Sequence, residues 1–142
     1  MTPLFITISG NTNMNSSPVK SPYQRLGGED AVQKLVDRFY DLMNEDDNVA
    51  GIRQMHAKSL RISREKLYLF LSGWLGGPQL YVEKYGHPML RKRHLPFAIG
   101  ESERDQWLKC MNTALDEQVE EELFKVSLKQ SFYKVADHMI NQ

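Results

Sequence analysis

The 142-residue chain has one cysteine, Cys110, which excludes an internal disulfide and any zinc site built on paired thiolates. It has no excess of charge, with 18 Lys+Arg against 18 Asp+Glu. It therefore carries no electrostatic footprint for nucleic acid or an anionic membrane. No apolar run approaches the ~18 residues of a membrane span. The run Leu4–Ile8 is shorter than the ~7–15 residues of a signal-peptide core and lacks a basic flank. No segment shows the alternation or β-branched density of a sheet. Neither Gly27-Gly28 nor Gly76-Gly77 belongs to a phosphate-binding glycine motif. No His-x-x-x-His or Glu-x-x-His pair is present, which removes the di-iron bundles. These absences leave one all-α domain in a reducing compartment, expected to be cytoplasmic and a monomer or weak homodimer.

What is present is helical periodicity. Residues 1–21 read as a flexible leader, rich in Ser, Asn, Thr and Pro beyond residue 8, and a folded domain is expected over 22–142. Glu29 and Asp30 suit the first turn of a helix. Val32, Leu35, Val36, Phe39, Tyr40 and Met43 recur on one face of it. Asn44 to Asn48 breaks that pattern as an acidic loop, and a partly apolar connection containing His56 follows. Leu60, Leu67, Phe70, Leu71, Trp74 and Leu75 mark a second long helix, stopped by Gly76-Gly77-Pro78. Ser102 and Asp105 suit a capping pair ahead of a third apolar face from Trp107 to Val119. A fourth runs from Phe124 to Met139. The expectation is four main helices and one short one. Cys110, beside Met111 on an apolar face, reads as core packing rather than a nucleophile.

The short helix lies in Gly86–Phe97, where Pro88 and Pro96 fence a single turn ending at His94. Pro88 suits a first helical position, and Pro96 drives Leu95 out of the α region. Met89, Leu90, Leu95 and Phe97 surround the cations Arg91, Lys92 and Arg93. One imidazole among apolar neighbours and cations suits a flat apolar ligand bearing carboxylates. Haem is such a ligand, with iron for His94 and propionates for the basic side chains. A capping or solvent-facing histidine fits the same segment, and the segment alone leaves both readings open. His87 and His94 are seven apart, about 10.5 Å along a helix, too far for one zinc. Tyr40, His56 and Trp107 sit on otherwise apolar stretches. Each fits ordinary packing or exposure, and together they would supply O–H and N–H donors around a ligand.

At this point the chain resembles the group II truncated haemoglobins. The resemblance rests on Pro22-Tyr23, Leu26-Gly27-Gly28, Phe39-Tyr40, Leu75-Gly76-Gly77-Pro78 with Leu80-Tyr81, and His87-Pro88-Met89-Leu90-Arg91 with Arg93-His94 and Pro96-Phe97. Arg104-Asp105 with Trp107-Leu108 and Cys110-Met111, then His138-Met139-Ile140-Asn141-Gln142, complete it. It implies a truncated globin fold, a two-over-two helical sandwich enclosing haem b. His94 then matches the proximal ligand, Tyr40 and Trp107 the distal donors, and His56 a loop residue beside the distal ligand. Ser63 and Leu67 match the two distal-helix sites. Leu67 departs from members with glutamine there, so polar contacts fall to Tyr40, Trp107 and His56. Arg91, Arg93 and Tyr81 are the expected propionate partners, and Phe97 a cofactor contact.

The implied function is binding of oxygen, carbon monoxide or nitric oxide at a pentacoordinate iron. His56 has two roles open to it, a third donor (the favoured one) or a transient sixth ligand, with Tyr40 a rival for that position. A redox enzyme, peroxidase-like or oxidising nitric oxide, needs the same pocket plus a separate electron donor. A haem-free helical sensor would leave His94 without a task.

Overall fold

The computed structural model describes residues 19–142, so all but the end of the stretch read as a leader lies outside the described residues. Helix α1 spans Pro22–Leu26. The Ser21 hydroxyl accepts from the Gln24 N–H while the Gln24 side chain accepts from the Ser21 N–H, satisfying two orphan donors at once. The Tyr23 N–H donates to the Leu75 carbonyl at 2.8 Å, tying α1 to the far end of the second long helix. Gly77 lies so near the Tyr23 ring that a Cβ there would sit 2.5 Å from Cδ1. Gly27 and Gly28 both take positive φ, 124° and 80°, and turn the chain into α2.

Helix α2 spans Glu29–Glu45 and buries Val32, Leu35, Val36, Phe39, Tyr40 and Met43. The acidic stretch after it is not the loop the sequence suggested. The helix runs on to Glu45, and a 3₁₀ turn, Asp47–Val49, leads into α3, Ala50–Gln54. Asp46 is the hinge between them, its carboxylate accepting from the Asn48 N–H at 2.9 Å. Short acidic and amide side chains favour such caps, which restart a helix instead of ending it.

Helix α4, Arg61–Trp74, ends where Gly76 takes φ 96°. Then come α5, Leu80–Tyr85, and α6, Leu90–His94, followed by the long α7, Glu101–Gln118, and α8, Glu122–His138. No strand occurs among the described residues. The expected Ser102–Asp105 cap does not form. Gly100 precedes α7 and donates its N–H to the Glu103 carboxylate at 2.7 Å, while the Ser102 hydroxyl accepts from Gln106. Because the helix has already begun at Glu101, Ser102 lies two residues past the cap position and cannot cap it.

The four long helices form two packed pairs, α2 with α4 and α7 with α8, joined where α2 lies on α7. Phe39, Leu35, Met43, Leu71, Met111 and Phe132 are fully buried between them. Each contributes roughly 1.5–3 kcal/mol of transfer free energy. This core holds one wall of the candidate site.

Candidate haem and ligand site

The wall is aromatic. Phe39 meets Tyr40 edge-on at 4.8 Å and Trp107 at 5.1 Å, and Trp107 lies 6.0 Å from Phe132. Tyr40, only 6% exposed, lies 5.8 Å from the His56 ring. The fold thus sets Tyr40 and Trp107 against Phe39, with His56 on the far side of the Tyr40 contact. Burial pushes the Tyr40 phenol well above its ordinary pKa, and the Arg64 charge and a Ser63 hydrogen bond pull it only partly back. Tyr40 therefore stays a neutral O–H donor throughout the physiological range.

Arg64 was missed by sequence reasoning. It sits on α4 and donates to the Asp37 carboxylate at 3.2 Å and the Asp41 carboxylate at 2.8 Å, with its guanidinium 5.9 Å from the Tyr40 ring centre. The available signal was the Asp37/Asp41 pair at i,i+4 on the face of α2 next to Tyr40, which requires a cation from a neighbouring helix.

His56 follows α3. Its Nδ1–H donates to the Ile52 carbonyl at 2.8 Å. The Ile52 N–H in turn donates to the Gln106 side chain at 3.0 Å. Burial holds the His56 pKa below its ordinary value, the Arg53 and His94 charges act in the same direction, and the Ile52 bond opposes them. The ring is thus neutral near pH 7, with its one N–H committed to Ile52. Its Nε2 then carries a lone pair, so the donor role requires protonation, whereas a ligand role does not.

The opposite side is built differently. Helix α6 is one turn with no buried residue. The expected Pro88 start is displaced: Met89 intervenes at φ 48°, ψ 50°, and the helix begins at Leu90. The Pro88 carbonyl accepts from Arg93 Nε at 2.6 Å, which turns that peptide away from the helical register. The left-handed methionine costs on the order of 1 kcal/mol. At the other end, half-buried His94 donates Nδ1–H to the Leu90 carbonyl at 2.6 Å. That bond fixes the tautomer and leaves Nε2 as a free basic nitrogen.

A cleft of about 640 Å³ opens beside this turn, lined by Phe70, Trp74, Tyr81, Leu90, Arg91 and His138 among others. It adjoins His94 without including it and lies within the size range of cofactor sites. Leu67 and Phe70 are only partly buried against the core, and Phe97 is 42% exposed. Tyr81 is buried against Phe70 and Tyr85, with the Arg93 guanidinium 5.8 Å from its ring centre. Both expected propionate arginines contact carbonyls: Arg91 Nη1 donates to His138 and Ile140, and Arg93 to Pro88 and His87. Each guanidinium has five N–H groups, so further donors remain.

One free imidazole nitrogen beside incompletely covered apolar side chains fits haem. It does not fit a metal ion held by protein ligands alone, since no group of three or more His, Cys, Asp or Glu suited to one exists among the described residues. Cys110 is buried, its thiol pushed up to about 11 chiefly by desolvation, and takes no part. No helix among the described residues is long and apolar enough to cross a membrane.

Comparison with known proteins agrees with this geometry. The bacterial-like globin family model matches residues 21–141. The group 2 truncated haemoglobin YjbI of Bacillus subtilis (strain 168) is 38% identical over 122 residues, covering 86% of this chain and 89% of that protein. Among solved structures, the cold-adapted truncated haemoglobin of Pseudoalteromonas haloplanktis TAC125 is 51% identical with a TM-score of 0.85, covering 87% of this chain and 99% of the other. The group II 2-on-2 haemoglobin of Agrobacterium tumefaciens is 42% identical with a TM-score of 0.86, over 89% and 98%. The two helix pairs around Phe39, the His94 turn and these likenesses make the chain a member of the group II truncated haemoglobins, a haem-based ligand-binding globin family.

Proposed function

We propose that this globin binds haem b through His94 Nε2 and holds oxygen, or a related diatomic gas, on the Tyr40/Trp107 side. The observation that carries the reading is the His94 Nδ1–H bond to Leu90, which leaves Nε2 as the ring's free nitrogen on a turn whose Leu90 and Arg91 line the cleft. Haem, when bound, supplies the iron that takes the gas.

The chain's own residues do the rest. His94 offers a neutral imidazole nitrogen at a fixed ring orientation. Tyr40 keeps its proton and donates its O–H to a partly negative ligand, and the Trp107 indole N–H is a second donor. Leu67 lines the site without donating. Ser63 steadies the Tyr40 hydroxyl. Arg91, Arg93 and Tyr81 would supply donors to carboxylates at the cofactor rim, and the exposed Phe97 would cover a ring edge. His56, with Nδ1–H bonded to Ile52, would leave the gas-binding side of the cofactor open unless its loop moved inward and offered Nε2 as a further ligand. The lone cysteine suits a reducing cytoplasm.

Absorption spectra of the purified protein and of two variants test this reading. The parent and His87→Ala should show a strong haem band, while His94→Ala should lose haem or change its axial ligand. Parent-like spectra from both variants would overturn it.

A further inference from the structure

The His94 turn does not hold itself in place. A single helical turn is too short to be stable alone, and α6 has no fully buried residue. It therefore needs anchoring from outside, and the anchor is the segment 138–142, of which His138 also lines the cleft.

Two side chains make the attachment. At the start of the turn, Arg91 Nη1 donates to the carbonyls of His138 at 2.9 Å and Ile140 at 2.6 Å. These are carbonyls at the end of α8, where the helix leaves acceptors unpaired and a cation is favoured. Beyond the turn, Asn141 uses both ends of its amide. Its Nδ2 donates to the Phe97 carbonyl at 2.8 Å and, at a longer 3.4 Å, to the His94 carbonyl. Its Oδ1 accepts from the Ile99 N–H at 3.0 Å, and its own N–H donates to the Ile99 carbonyl at 2.8 Å. Ile99 and Met139 are both buried, so the segment is seated by packing as well as by bonds.

We propose that Arg91 and Asn141 are positioning residues for His94, clamping both ends of its turn to the end of α8 and so fixing where Nε2 points. The inference rests on His94 being the iron ligand. Asn141 suits its place because its amide donates to two carbonyls and accepts from one N–H at once. Aspartate keeps the acceptor but sets a carboxylate against the Phe97 carbonyl, and alanine removes every side-chain bond to the turn and to Ile99.

The test compares holoproteins of Asn141→Ala, Asn141→Asp, Arg91→Met and, as a control, Arg38→Ala, which breaks the remote Arg38–Glu117 pair. Two quantities are read: the iron–histidine stretching band of the unliganded ferrous form by resonance Raman, and the rate of haem transfer to an excess of apomyoglobin. Both Asn141 variants should shift or broaden the band and speed haem loss several-fold. Arg91 is also proposed to meet a propionate, so Arg91→Met is read by the band alone and should shift or broaden it. Arg38→Ala leaves both quantities unchanged. Should one variant fail to fold, the others decide. A parent-like band and parent-like haem loss in the variants that bind haem would overturn the clamp. His94→Ala separates the two readings: if it retains the parent's band, the ligand assignment itself is wrong. If it loses the band while the clamp variants keep it, only the clamp fails.

Discussion

The two sides of the site are held by opposite means. The Tyr40/Trp107 wall belongs to long helices whose inner faces form the main core, and Phe39 behind it has no solvent exposure. The His94 turn is fenced by prolines, carries no buried residue and is fixed by hydrogen bonds from side chains to carbonyls. Packing gives the wall rigidity at the cost of tolerance, since any loss of volume is felt. Hydrogen bonds to carbonyls set orientation but add little stability, about 0.5–1.5 kcal/mol each. Damage to the wall should thus appear first as loss of fold, and damage to the turn as loss of cofactor geometry.

The sharpest way to break this contrast is Phe39→Ala. It opens a void behind both distal donors and should cost roughly 3–5 kcal/mol, read as a lowered urea midpoint of the holoprotein. A cost under about 1 kcal/mol would mean the wall is not held by packing.

Next come the donors themselves. Tyr40→Phe keeps the volume nearly intact and Trp107→Phe keeps an aromatic ring, and each removes one polar group. Each should raise the oxygen off-rate about tenfold, equivalent to ~1.4 kcal/mol, in stopped-flow displacement. Carbon monoxide, less polar when bound, should respond less. Equal changes for both gases would point to sterics instead of hydrogen bonding.

The smallest effect belongs to His56. Its folded pKa lies below the ordinary 6.5, so the folded chain resists a proton that the unfolded chain accepts. The stability this gives is complete above about pH 6.5 and declines as pH falls through that value toward the folded pKa. His56→Leu should flatten this acid limb in thermal melts taken from pH 7.5 downward. The same variant bears on the sixth position. A low-spin signal in the unliganded parent that vanishes in His56→Leu would show that its lone pair reaches the iron.

The long helices were legible because their signal is local: Val32, Leu35, Val36 and Phe39 repeat at a spacing that only a helix turns to one side. His94 was legible for a related reason, since Pro88 and Pro96 lie within six residues of it and limit what the backbone can do. The left-handed Met89 was not, because its conformation answers to the Arg93 bond with the Pro88 carbonyl and to no preference of methionine. Helix α5 was also overlooked, being too short for periodicity to register. The tie between Arg91, Asn141 and the turn spans nearly fifty residues, and nothing in the spacing of either residue marks the other. For His56 the sequence offers a loop position and nothing more, because its tautomer depends on the Ile52 carbonyl that a helical turn delivers.

The contact between Gly77 and the Tyr23 ring limits how this sequence can vary. No side chain larger than hydrogen is admitted at 77 while an aromatic ring occupies 23, whereas a small residue at 23 lifts the restriction. Either substitution made first is harmful, Gly77→Ala by collision and Tyr23→Ala by leaving a hole. The pair should therefore be strongly non-additive, the double variant standing closer to the parent than the sum of the singles. The two positions can change only together, so for a lineage moving by single steps each holds the other in place.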